Sequence, residues 1–308
     1  MMFGEKRFHS VNYYLQNTFG AKVIKISLDA GLTCPNRDGT LSREGCIFCG
    51  GSGSGDYAFG GRSIKNQFEL YRNSLRKKWP NAKYIAYFQA YTNTYGDIEL
   101  LRKLYYEAID IEGVVGISIA TRPDCLGPEV LALLKEIGQK TKLYVELGFQ
   151  SSKPETVQLI NRCYENHVFN KAVKDLKNIG ANVICHVILG LPYETEQDML
   201  GTVNYAIDAG IDGIKFHQLF VVKNTKLEDM YNAKLFDTLE LEEYVSLIVS
   251  CLEILPEDIV VHRLTGDAPR EQLIAPLYSI KKFNILNGID NRLKEIDSWQ
   301  SKNCGANR

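Results

Sequence analysis

Residues 28–61 read LDAGLTCPNRDGTLSREGCIFCGGSGSGDYAFGG. Cys34, Cys46 and Cys49 stand in this stretch, with eleven residues between the first two and two between the last two. Glycines and short polar residues interleave and follow them, and the apolar run Val23–Leu28 leads in. A strand therefore delivers the chain into a loop that carries three thiols. Thiolates are soft ligands suited to zinc, copper or iron–sulfur clusters. Iron–sulfur clusters are normally held by four cysteines and structural zinc by four ligands, so a set of three leaves one position open. The nearest candidates for a fourth ligand are His9 and Cys125. A zinc site with a remote ligand, or three unrelated buried cysteines, are the other readings of the stretch.

The remaining composition narrows the class. The chain has 308 residues, 45% hydrophobic and 24% charged, which is ordinary globular usage. A formal net charge of -1 gives no global basic footprint, so any contact with nucleic acid must come from a local patch. Eight cysteines in a chain of 308 residues is not the density of a small disulfide scaffold. The start, MMFGEKRFHSVNYYLQ, has no apolar signal core, and no window reaches the roughly 18 apolar residues of a membrane helix. The expectation is a cytoplasmic protein in a reducing compartment, where clustered thiols favour metal over disulfide, with no membrane partner.

Outward from the cysteine loop, apolar runs alternate with amphipathic ones. Strands are expected over 22–28, 83–89, 113–120, 142–149, 181–189 and 212–219. Helical spacing is found over 63–78, 97–110, 127–137, 153–160, 168–179 and 194–209. Near-continuous apolar strands in βα units argue for a parallel sheet covered on both faces, as a barrel or a doubly wound sheet. No G-x-G-x-x-G follows the first strand, which weakens the dinucleotide-binding option. After the sixth strand the pattern changes to a helix over 239–255, a possible strand over 258–264, a loop over 266–276 and a helix over 280–299. The expected division is a lead-in over 1–21, a barrel over 22–222 and an extension over 223–308 packed on the barrel.

With this pattern, Cys46-Ile47-Phe48-Cys49 resembles the second half of the cluster motif of the radical S-adenosylmethionine superfamily, in which an aromatic residue precedes the last cysteine. The first gap departs from the commonest spacing, eleven residues instead of three, and so points to a subgroup. The resemblance covers about residues 22–219. It implies an α/β fold, a partial (β/α)6 barrel of TIM type with a C-terminal extension. It also implies a [4Fe-4S] cluster on Cys34, Cys46 and Cys49, whose open iron chelates S-adenosylmethionine. Reduction, from a donor such as flavodoxin or ferredoxin, would cleave the cofactor to a 5′-deoxyadenosyl radical that abstracts hydrogen from substrate. Barrel sites lie at the C-terminal ends of strands, where this loop sits.

The resemblance extends to downstream positions. The segment Gln89–Thr94 after the second strand occupies the place of the family's methionine-binding motif, with Gln89 or Thr92–Thr94 as the candidates. Ser118 and Thr121 stand at the end of the third strand, next to Arg122 and Asp124. The fourth strand carries Glu146, Gly148 and Gln150 with Asn161-Arg162 following. Here the resemblance implies contacts of Glu146 and Gln150 with the cofactor ribose or carboxylate, and Arg162 as a carboxylate partner. The fifth matches the family pattern at Ile188, Gly190 and Glu194, which implies Ile188 against the adenine; Phe48 of the cysteine loop is a further cofactor-binding candidate. His186 and His217, on adjacent strands, are candidates for substrate contact or proton handling. Each of these polar residues also has an ordinary reading, as a loop, an ion pair or a satisfied core histidine. Cys125, Cys163, Cys185, Cys251 and Cys304 form no CxxC and read as free thiols.

Beyond the barrel, Val222–Leu227 and Arg263–Arg270 (RLTGDAPR) resemble a bacterial subgroup related to the radical domain of the Elongator catalytic subunit, without its acetyltransferase domain. That implies modification of the C5 side chain of wobble uridine, with tRNA as partner. Arg76-Lys77-Lys78, Arg263, Arg270 and Lys281-Lys282 are candidate phosphate contacts, or ordinary solvated surface. A small molecule or peptide as the radical's target, and a cluster-binding protein without catalysis, are the alternatives.

Overall fold

Each of the six apolar runs forms a strand. The computed structural model describes residues 2–51, 61–267 and 270–305. The rest of the glycine-rich stretch (52–60) and Ala268-Pro269 of the Arg263–Arg270 motif lie outside the described residues. The strands are β1 (Val23–Leu28), β2 (Lys83–Phe88), β3 (Val114–Thr121), β4 (Lys142–Gln150), β5 (Asn182–Leu189), β6 (Gly213–Gln218), β7 (Val221–Val222), β8 (Val260–Arg263) and β9 (Leu273–Ala275). The helices are α1 (Val11–Phe19), α2 (Ile64–Arg76), α3 (Ile98–Ile109), α4 (Pro128–Gly138), α5 (Pro154–Leu159), α6 (Asn166–Asn178), α7 (Glu196–Asp208), α8 (Lys226–Asn232), α9 (Leu241–Ile254) and α10 (Lys282–Glu295).

The main sheet has seven strands in the order β1-β2-β3-β4-β5-β6-β8, and every neighbouring pair is parallel. It curls into a half-barrel, the fold class expected from the sequence. It carries one strand more than the βα repeat supplies. The seventh is β8, from the chain beyond residue 222, so the expected extension over 223–308 contributes directly to the sheet.

Alternation along the strands separates two environments. On β4, Leu143, Val145, Leu147 and Phe149 face outward into the main core beneath α4, α6 and α7, and Tyr144 faces inward. The inner face is closed at the N-terminal end of the strands by α1. Leu15, with Val11, Tyr14 and Phe19, packs there on Val23, Ile85, Tyr144 and Ile184. α1 begins where Ser10 accepts a hydrogen bond from the Tyr13 amide and ends at Gly20 in the left-handed region. α9 and α10 extend the outer core through residues such as Tyr244, Ile248, Ile285 and Leu293. No helix among the described residues is long and apolar enough to cross a membrane.

A second, smaller cluster sits at the C-terminal end of the barrel. Ile47 of the cysteine loop packs there with Ile160, Leu191, Leu219, Val221, Leu227, Phe236 and Ala275. The antiparallel pair β7–β9 and helix α8 form its far wall. The chain beyond residue 222 thus also grips the cysteine loop.

The close approach of β8 to β6 depends on Gly213, where an added Cβ would lie 2.7 Å from the His262 ring and 3.1 Å from the Val260 carbonyl oxygen. Overpacking of this kind costs about 1–3 kcal/mol. Gly213→Ala should therefore lower the unfolding free energy by that amount in a urea titration. A variant as stable as the parent would show that β8 is not held against β6.

Candidate active site

Parallel strands present their C-terminal ends and the following loops to one rim. There the cysteine loop meets the ends of β2 to β6 around a cavity of about 290 Å³. Cys34, Cys46, Cys49, Phe48, Gln89, Glu146, Gln150, Arg162, Ile188, His186 and His217 all line it. Ser118 does not line it, and neither do Asn93 and Thr94 of the segment after β2.

The loop is anchored by polar bonds that its sequence did not reveal. The Asn36 amide donates to the Asn161 carbonyl at 2.6 Å and lies 3.5 Å from the Cys46 sulfur. The Asn161 amide donates back to the Gly45 carbonyl at 2.7 Å. Arg37 donates to the Gly50 carbonyl at 2.6 Å and comes within 3.4 Å of the Cys49 sulfur. The amide of Ile47 donates to Ile160 and its carbonyl accepts from Leu227. Phe48 and Ile188 both pack against the apolar cluster that contains Ile47. Burial and the neighbouring Cys49 push the Cys46 thiol up to about 12, while Arg122 and Asn36 oppose the rise. Deprotonating three thiols here without a cation would gather uncompensated charge in a low-dielectric pocket. A bound cationic centre removes that cost, so the donor set fits a thiolate-ligated cluster. Among the described residues no three His, Cys, Asp or Glu side chains gather around a single metal ion.

Below the loop lies a buried charge network. The Glu146 side chain has no solvent exposure. One carboxylate oxygen accepts from Lys25 Nζ at 2.7 Å and from the Ser118 hydroxyl at 2.6 Å. The other lies 2.8 Å from His186 Nε2 and accepts from Lys215. Burial works to raise the Glu146 carboxyl, but Lys215, Lys25 and His186 together hold it well below the usual range. Burial lowers Lys215 to about 7 against the pull of Glu146. Burial and the Lys215 charge lower His186 to about 4, so its imidazole is neutral near pH 7. His186 and His217 stack with centroids 5.6 Å apart.

Two expectations are corrected by this geometry. Ser118 does not reach the cavity; it is spent on Glu146, because position 118 faces the strand-four carboxylate across the inner sheet. Arg162 is no carboxylate partner. Its Nε donates to Tyr164, Nη1 to the carbonyls of Phe149 and Ser151, and Nη2 to Tyr164 and the Asn166 side chain. All five guanidinium donors are consumed by protein acceptors, two of them at the end of β4. Asn161, its neighbour, braces the cysteine loop instead.

In the segment after β2, Gln89 and Thr92 reach the cavity, and Gln89 accepts from the Ser27 hydroxyl at 2.7 Å. Asn93 and Thr94 turn away and bridge to Ala120, Thr121 and Cys125 of the next loop. A register shift at the end of β4 and a left-handed Gln150 turn that residue into the rim. Gly190 also adopts a positive φ of 87°, which suits glycine at the turn after β5. Cys125 and Cys163, isolated in the sequence, both lie within electrostatic reach of Cys34.

A model of the radical SAM superfamily matches residues 34–206, and one of its C-terminal domain matches residues 211–295. The chain belongs to the radical S-adenosylmethionine superfamily. It is 42% identical to YtqA of Bacillus subtilis over 97% of this chain and 93% of that one. It is 34% identical to YhcC of Escherichia coli K12 over 91% of this chain and 90% of that one. The tRNA uridine(34) acetyltransferase of Methanocaldococcus infernus is 29% identical over 56% of this chain and 32% of its own length. The solved archaeal Elp3 of Methanocaldococcus infernus superimposes with a TM-score of 0.69 at 18% identity, over 90% of this chain. This chain spans 64% of that structure's chain, and the likeness concerns the fold. The radical SAM enzyme's cofactors are a [4Fe-4S] cluster and S-adenosylmethionine, and its chemistry requires a reductant.

Removing one partner of a buried ion pair typically costs about 3–5 kcal/mol, because the remaining charge is stranded. Lys215→Met should destabilise the protein by that order in urea. Glu146→Gln combined with Lys215→Met should cost less than the two single changes added together. Additive losses would show that the two side chains do not share a pair.

Proposed function

We propose that Cys34, Cys46 and Cys49 ligate the cluster and that the enzyme acts on the C5 side chain of wobble uridine in tRNA. Bound together, the cluster and S-adenosylmethionine supply a carbon radical able to abstract hydrogen from an unactivated position. The observation that carries the reading is the continuity of the cavity. The three thiols, the rim residues Gln89 and Gln150, and the histidines of β5 and β6 all face one space, so cofactor and substrate can meet without crossing protein. The similarity to an archaeal tRNA uridine(34) acetyltransferase supports uridine as the target.

Within that space Phe48 and Ile188 offer an apolar wall to the adenine, and Gln89 and Gln150 offer amides to the polar groups of the cofactor. Glu146 serves as a support: it fixes His186 beside the substrate, while burial and the Lys215 charge keep the imidazole neutral. The exposed run Arg76-Lys77-Lys78, with Arg270 and Lys281, provides the cationic groups for a phosphate backbone. Arg263 and Lys282 are less available because Asp267 pairs with both. Electrons would come from a flavodoxin or ferredoxin, in the cytoplasm where tRNA is found.

Reconstituted enzyme with reductant should form 5′-deoxyadenosine faster when tRNA from a strain lacking the gene is added. That tRNA should also lack a modified uridine found in the parent. If its nucleosides match the parent's and the tRNA leaves cofactor cleavage unchanged, the tRNA reading is wrong.

A further inference from the structure

Two polar groups at the β6 end of the cavity have no hydrogen-bond partner within the protein. Gln218 is 3% exposed, lines the cavity, and its Nε2 has no hydrogen-bond partner. Its Oε1 accepts from the Thr265 hydroxyl at 2.8 Å, and Thr265 is itself buried. The bond occupies the carbonyl end of the amide, leaving the NH₂ end to face the space. His217 lies next in the chain and lines the same cavity, and its Nε2 is also buried without a partner. Burial, Arg263 and His186 lower the His217 imidazole well below its ordinary value, so it is neutral and carries one donor and one acceptor.

The loop after β8 is shaped to hold this pair. At Gly266 an added Cβ would lie 2.9 Å from His217 Nδ1 and 2.8 Å from the Phe220 ring. Only glycine lets the backbone lie against both side chains. Phe220 lines the cavity too and brings an aromatic ring to the same end. The charged groups nearest this end have partners within the protein, Lys25 and Lys215 on Glu146 and Arg263 on Asp267. An unpaired buried donor costs about 1–3 kcal/mol. Two such groups beside an aromatic ring, in a ligand-sized space, indicate a partner that arrives from outside.

We infer that Gln218, oriented by Thr265, and His217 form the subsite that reads the substrate's neutral amide edge, with Gln218 Nε2 donating to a carbonyl oxygen and His217 Nε2 bonding to the polar groups beside it. A cyclic imide such as the uracil ring has this chemistry, and Phe220 suits its face. Cytosine presents an amino donor where uracil has a carbonyl, so Gln218 would disfavour it. The choice of uracil rests on the tRNA reading above; the subsite itself rests on the two unpartnered groups.

The test measures binding of free uridine, 3-methyluridine and cytidine to the reconstituted holoenzyme with S-adenosylmethionine, by equilibrium dialysis under anaerobic conditions. Uridine should bind about tenfold more tightly than 3-methyluridine or cytidine, a difference of the size of one hydrogen bond. Gln218→Leu and Gln218→Glu should both reduce uridine affinity by about tenfold and erase the preference, and Thr265→Val should weaken it less. Equal affinities for the three nucleosides in the parent enzyme would overturn the inference without recourse to any variant. So would undetectable uridine binding, or uridine affinity unchanged in folded Gln218→Leu. Selective uridine binding with unaltered tRNA nucleosides in the deletion strain would sink the tRNA reading and leave the subsite standing. Altered tRNA nucleosides with unselective binding would do the reverse.

Discussion

The barrel is organised by one carboxylate that has no access to water. Glu146 stands on β4, the middle strand of the seven, and its two oxygens gather groups from β1, β3, β5 and β6: Lys25, Ser118, His186 and Lys215. A buried anion without partners would cost several kcal/mol, so these strands are compatible only with a register that brings their polar residues to it. The interior is consequently a charge lattice where many barrels have layers of aliphatic side chains. α1 seals this lattice from below, and the cavity opens above it.

The cysteine loop has no regular secondary structure of its own among the described residues, and its position is borrowed. Asn36 donates to the Asn161 carbonyl, Asn161 donates to the Gly45 carbonyl, Arg37 ties to Gly50, and Ile47 inserts into the apolar cluster formed with β7, β9 and α8. Arg162 extends the brace to the end of β4 by donating to the Phe149 and Ser151 carbonyls. The thiols are thereby held over the charge lattice by protein contacts. Preorganisation of this sort allows metal affinity to be expressed as binding and not spent on ordering a loop.

The βα alternation was legible because parallel strands buried on both faces are long apolar runs, and the cysteine spacing was legible because thiol chemistry is local in sequence. The line-up of Gln89, Glu146, Gln150 and Ile188 around one space was legible through the family resemblance, and that of His186 and His217 through their place on adjacent strands. What remained hidden depends on contacts between distant segments. Lys25 lies in the apolar-looking VIKISL run and reads as a break in it; its meaning appears only once β4 is placed two strands beyond β2. The roles of Ser118 and Arg162 were misjudged for the same reason, since a hydroxyl or guanidinium at a strand end gives no sign of whether it faces ligand or protein. Val260–Arg263 is too short and too far from the repeat to declare its partner, and only packing on β6 makes it the seventh strand.

The proposed chemistry depends on the thiolates of Cys34, Cys46 and Cys49 holding a cluster with one position left for S-adenosylmethionine. The direct test is iron and acid-labile sulfide in anaerobically reconstituted protein, set beside 5′-deoxyadenosine formation on reduction. About four of each per chain are predicted for the parent, with cofactor cleavage, and loss of both in Cys34→Ala, Cys46→Ala and Cys49→Ala. A triple variant that keeps its iron and still cleaves S-adenosylmethionine would contradict the assignment.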